Sequence, residues 1–187
     1  MVVERHGSVD LMFNAISWVD TQGLPLTHMP FGQFYEPIRN ALRSWFHTGT
    51  ILARHMADNG GGTILGITAN AGRQAFSGVG GFGVACAAVE HFLRQLAVEN
   101  GPKKVRVCWV RSPGSPDSPG VRAAWELYGR DKGLSMEEVH REFAKDTPLR
   151  RITGLAEVAN AAVLLASNLA SSMTATMVNA TGGAQVD

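Results

Sequence analysis

A chain of 187 residues with 45% apolar and 18% charged residues has the balance of a globular protein and is too apolar for a disordered one. Its formal net charge of +1 offers no electrostatic footprint for nucleic acid or a membrane surface, so neither is expected as a partner. The two cysteines, Cys86 and Cys108, lack metal-ligand spacing. With no apolar leader after Met1 and no run of the roughly 18 residues a membrane span needs, a reduced, cytoplasmic setting is expected.

In chain order, VDLMFNAI (9–16) is a short apolar run suited to a strand buried on both faces. Residues 21–34 are broken by Gly and Pro and read as loop. From Phe34 to about Met56, Ile38, Leu42, Trp45, Phe46, Ile51 and Leu52 recur at helical spacing; Pro37 fits only in the first turn of such a helix, and Asn59 to Gly62 stop it. TILGIT (63–68) is a second buried strand, followed by a glycine-rich loop and a helix from about Gly81 to Glu99. KVRVCWV (104–110) is a third strand and 111–120 a proline-rich loop. MEEVHREFAKD and LAEVANAAVLLASN are further helices, the first opened by Ser135 with Glu138 three residues on, a capping-box pattern. ATMVNAT (175–181) is the last strand.

Strands alternating with long helices predict an α/β fold with a mainly parallel sheet. Ligands then bind beyond the carboxyl ends of the strands, in the loops after Ile16, Thr68 and Val110. Gly78, Gly80 and Gly83 spell G-x-G-x-x-G, but a phosphate cradle needs that motif directly between a strand and a helix N-terminus. The preceding strand ends near Thr68 and the acidic residue at the right offset, Glu99, ends a helix, so the match is read as coincidence. The six histidines contain no H-x-x-x-H pair, no G-x-S-x-G elbow is present, and no metal site is expected. Cys86 as a nucleophile lacks a positioned His; a buried small hydrophobe is the plainer reading.

Several ordered words resemble the short-chain dehydrogenase/reductase family: GSVDLMFNAIS, where Phe13-Asn14-Ala15-Ile16 stand at the Asn-Asn-Ala-Gly places; TILGITANAG; AAVEHFLRQLAVENGPKKVRV; SPG at 112–114; and the segment from PLRRITG to NATGG. The resemblance covers essentially the whole chain. It implies a Rossmann-like three-layer fold of which residues 1–187 form a single domain, the C-terminal part only, about four strands with flanking helices, without the N-terminal βαβ units that hold the cofactor pyrophosphate. In that family an Asn, a Ser, a Tyr and a Lys carry proton transfer while a nicotinamide exchanges hydride. The matching positions are Ala41, Ala69, Phe82 and Cys86, so no catalytic group is intact. What remains of the cofactor cleft is Asn14, Ala15, Thr68, Pro113 and Gly114, and no bound NAD or NADP is expected.

The resemblance further implies assembly through helices 34–57 and 81–99, as a homo-oligomer or with an active relative. The leading expectation is therefore a non-catalytic pseudoenzyme or oligomerising subunit. The alternative is an NAD(P)-dependent oxidoreductase whose cofactor-binding half lies outside this chain, and a third is a module that binds a small molecule in the residual cleft.

Overall fold

Four apolar stretches, each followed by enough chain to cross back over the sheet, dictate parallel pairing. The computed structural model describes residues 2–186. Among them β1 (Leu11–Asn14), β2 (Gly62–Ala69), β3 (Val105–Ser112) and β4 (Thr176–Asn179) form one parallel sheet in the order β1-β2-β3-β4. The register sets Thr68 beside Arg111 and Ala69 beside Ser112, and Arg111 beside Asn179. The carboxyl ends of the three longer-paired strands thus open at one level.

The helices are α1 (Val2–His6), α2 (Phe31–Asp58), α3 (Phe82–Asn100), α4 (Pro119–Lys132), α5 (Met136–Lys145) and α6 (Leu155–Ala166). On one face of the sheet α2 and α3 bury Trp45, Met56, Val89 and Leu93 against Ile64, Val107 and Trp109. On the other, Val158, Ala162 and Leu165 of α6 meet Leu65, Cys108 and Val110. Successive strand residues feed opposite faces, which is why β2 and β3 read as continuous apolar runs. Gly66 admits the Trp45 ring, since a Cβ there would lie 2.5 Å from the ring edge.

The fold departs from the sequence reading in four places. β1 spans four residues and is not buried on both faces: it is an edge strand with Leu11 and Phe13 exposed. The helix α2 starts three residues early, so Pro37 lies past its first turn; the ring cannot donate to the carbonyl four residues back. Residues within the expected loop 111–120 extend β3 to Ser112. Helix α4 was missed, although Ser118 caps it by accepting from the Val121 N–H and Pro119 holds its first position. The Ser135–Glu138 capping box is present as expected. Helices α4 and α5 close on each other through Trp125 stacked on Phe143, ring centroids 4.8 Å apart, and the Tyr128 hydroxyl donating to Glu142.

No helix among the described residues is long and apolar enough to cross a membrane.

Candidate ligand crevice at the carboxyl ends of the strands

The loops that leave β1, β2 and β3 surround the position where a parallel sheet of this kind takes its ligands. Ala69 ends β2, and its backbone faces the sulfur of Cys86, one turn into α3, closely enough to bear on the thiol's ionisation. Phe82 opens α3 and packs on Trp18 of the loop after β1, ring centroids 6.0 Å apart. Ala69 and Cys86 are therefore neighbours, with Phe82 one helical turn before Cys86. Ala41 is sealed in the core on the buried face of α2.

None of the four side chains carries a proton poised for transfer. Phe82 has no ionisable group. The Cys86 thiol is pushed up to about 12 from its ordinary 9.0, first by burial, which outweighs a downward pull from the Ala69 backbone, with a smaller upward push from the charge of Glu90. Since the unfolded thiol ionises near 9 and the folded one near 12, the folded state holds more protons in that window. Its contribution is intact below pH 9 and is lost as pH rises toward 12. Urea midpoints measured across pH 8 to 12 should fall more shallowly in Cys86→Ala than in the parent chain; identical slopes would contradict a buried thiol.

The remaining cleft residues divide. The Asn14 amide donates to Thr48 of α2 at 3.0 Å while its oxygen accepts from the Ile16 N–H at 3.0 Å, so this side chain fastens the end of β1. The Thr68 hydroxyl donates to Glu90 at 2.9 Å inside the core. Ala15 is exposed in the loop, and Pro113 and Gly114 are half-buried. Gly114 has a φ of +89°, a left-handed conformation that favours glycine. Next to it Ser115 is only 2% exposed and its hydroxyl has no partner among the described residues. The indole N–H of Trp18 is likewise buried and unpaired. These are two buried donors, on the loops at the carboxyl ends of β1 and β3, of the kind a polar group can satisfy.

The glycines that imitated a dinucleotide fingerprint serve packing. The strand before them ends at Ala69, well ahead of Gly78. The Gly78 carbonyl accepts from the Gly23 N–H at 2.8 Å. A Cβ at Gly80 would lie 2.7 Å from the Thr21 carbonyl oxygen, and one at Gly83 2.7 Å from that of Ala71. They let the loop before α3 and the first turn of α3 lie close against their neighbours.

Sequence reasoning did not foresee the polar group beneath the crevice. Glu90 lies on the buried face of α3 and accepts from Arg111 through Nε at 3.0 Å and through a terminal nitrogen at 2.7 Å, besides Thr68. Arg94 reaches the same carboxylate at 3.4 Å. The signal was present: Glu90 falls at core spacing between Cys86 and Leu93, and Arg111 follows the apolar run Val107–Val110.

A parallel α/β sheet with a crevice at its carboxyl ends defines the Rossmann-like class. Residues 1–185 match the family profile described as enoyl-(acyl carrier protein) reductase, and the chain belongs to the short-chain dehydrogenase/reductase family. It is similar to 7alpha-hydroxysteroid dehydrogenase of Escherichia coli (strain K12), 28% identical over 181 residues, covering 97% of this chain and 66% of that protein. The chain thus spans just under two thirds of that relative. Among solved structures, sorbitol-6-phosphate 2-dehydrogenase from Erwinia amylovora superposes with a TM-score of 0.90 at 22% identity, over 100% of this chain and 72% of the other. A 7 alpha-hydroxysteroid dehydrogenase complexed with NADH and 7-oxo glycochenodeoxycholic acid superposes with a TM-score of 0.78 at 26% identity, over 97% and 66%.

These findings correct the expectation that no nicotinamide cofactor is involved: a relative of the same fold and family holds NADH. Pyrophosphate contacts are not all that can hold such a group, and the strand-end crevice offers other polar atoms. There the unpaired Ser115 hydroxyl, next to the left-handed Gly114, is a donor that fits a carboxamide or ribose oxygen.

Proposed function

We propose that this chain belongs to an NAD(P)-dependent oxidoreductase, residues 1–187 forming one domain that carries the C-terminal part of the family sheet and the nicotinamide end of the crevice. The observation that carries the reading is the family match along the chain, with a buried unpaired Ser115 hydroxyl at the mouth of β3. The dinucleotide supplies the hydride. Ser115 and the Pro113–Gly114 turn hold its polar end, Asn14 fixes the β1 loop, and Phe82 with Trp18 forms one apolar wall. With Ala69, Phe82 and Cys86 at the proton-handling positions, the proton comes from solvent and turnover is slow.

Titration of NADH and NADPH by fluorescence should give saturable binding, weakened by Ser115→Ala; no binding by either dinucleotide overturns the reading. General acid–base groups contribute roughly 10²–10⁴-fold. The double substitution Ala69→Ser/Phe82→Tyr, which supplies a carbonyl polariser and a phenol, should therefore raise the rate of NADH oxidation with a panel of ketones by about that factor.

A second reading is favoured by the same replaced positions together with the outer faces of α2 and α3. There Phe46 and Ile51 are 56% and 61% exposed and Phe92 is partly covered. In it the chain is a pseudoenzyme that seats a dinucleotide without turnover and assembles through 34–57 and 81–99 with itself or with an active relative. The mass in solution, measured beside turnover, separates the two: an oligomer that binds NADH and never oxidises it is the pseudoenzyme.

A further inference from the structure

The stretch that leads into β1 is fastened by one side chain. The Val9 N–H donates to Nε2 of His55, 3.2 Å away in the last turn of α2, and this is its only hydrogen bond among the described residues. Val9 itself packs against the α2–α3 core. One residue on, the Asp10 carbonyl accepts from the Thr63 N–H at 2.9 Å, where β2 begins. The contact therefore closes where β1, β2 and the end of α2 meet, and β1 has only the ladder from Leu11 to Asn14 beyond it.

An imidazole nitrogen accepts only when it carries no proton. A main-chain N–H cannot reverse its role, so Nε2 is bare and the proton of the neutral ring sits on Nδ1. The other ring contact does not compete: Nδ1 lies 3.4 Å from the Asn59 amide nitrogen, which donates to the His55 carbonyl oxygen at 2.7 Å. Once the ring takes a second proton both nitrogens are donors, and Nε2 then meets Val9 donor to donor. Imidazole is the side chain whose charge ordinarily changes between about pH 5 and 8. The charged and titratable groups on the surrounding elements are Arg54 and Asp58 on α2, Asp10 before β1, Lys104 before β3, and Glu4, Arg5 and His6 on α1. None of them makes a hydrogen bond or ion pair with the ring among the described residues. We propose that His55 is a pH-operated clasp on the root of β1: the neutral ring holds the Val9 main chain, and protonation releases it. Release frees the lead-in to the edge strand whose far end carries Asn14 and the loop of Trp18. The clasp is independent of the function proposed for the crevice.

Amide hydrogen exchange followed by NMR on the whole chain tests this, each rate being divided by the intrinsic rate at the same pH. From about pH 8 down to about pH 5 the protection of Val9 should fall roughly tenfold or more, while that of Val110, sealed in β3, stays constant. Neither of two variants should show the fall. His55→Gln offers an amide oxygen that accepts in place of Nε2 and does not titrate, and His55→Ala leaves Val9 without an acceptor at either pH. Nitrogen-15 shifts of the His55 ring at the upper pH should place its proton on Nδ1. The proposal is overturned if Val9 protection in the parent does not change with pH, if the fall persists in either variant, if Val110 loses protection alongside Val9, or if the neutral ring carries its proton on Nε2.

Discussion

Arg111→Met should lower the stability of this protein by about 3–5 kcal/mol, the cost of leaving a buried carboxylate without its cation. Arg111 and Glu90 are each 3% exposed and joined by two hydrogen bonds, 3.0 and 2.7 Å long. Arg94 cannot take over, since it reaches only one oxygen, at 3.4 Å, from a half-exposed position. For a chain of this length the loss corresponds to a melting temperature lower by on the order of 10 °C. Removing the charge on both sides, in Glu90→Gln/Arg111→Met, should recover much of it, because the desolvation of an unpaired ion disappears with the ion. A double variant no more stable than Arg111→Met would show that the pair matters through packing and not through charge.

Gly81→Ala should be nearly as damaging, at about 3 kcal/mol or more, by overpacking against main chain. A Cβ at residue 81 would stand 2.9 Å from the Phe34 carbonyl carbon and closer still to its oxygen, with the Pro37 ring at 3.0 Å. Backbone cannot rotate aside as a side chain can, so α2 and the start of α3 must separate. Phe82 is the next residue, and the shift would also loosen its contact with Trp18. Chemical denaturation should report the stability loss and tryptophan fluorescence the disturbed ring pair. Gly101→Ala, where a Cβ meets nothing within 4 Å, is the matched control and should show neither effect.

The legibility of this protein in its sequence follows from the range of the forces involved. β2 and β3 were readable because burial on both faces demands mostly apolar residues along their middles. α5 was readable because its start signal is local, from Ser135 to Glu138. α4 went unnoticed because its glycines and charges blur the helical period, and only the short Ser118–Pro119 signal marks it. In the crevice, the positions of Ala69, Phe82 and Cys86 could be found from the words around them. The engagement of Thr68 with Glu90 and of Asn14 with Thr48 could not, for those partners are 22 and 34 residues away. Distance equally hid the contact of His55 with the Val9 N–H, 46 residues away.

The flank of β1 carries one further consequence. Its outer side has no neighbouring strand among the described residues, and Leu11 and Phe13 are exposed there. Peptide groups on such a margin act as a template, and any extended apolar segment able to zip along it gains main-chain hydrogen bonds and greasy contacts together. The sheet therefore has a direction in which it can grow, and crowding in a concentrated preparation would favour lengthening it by a foreign strand.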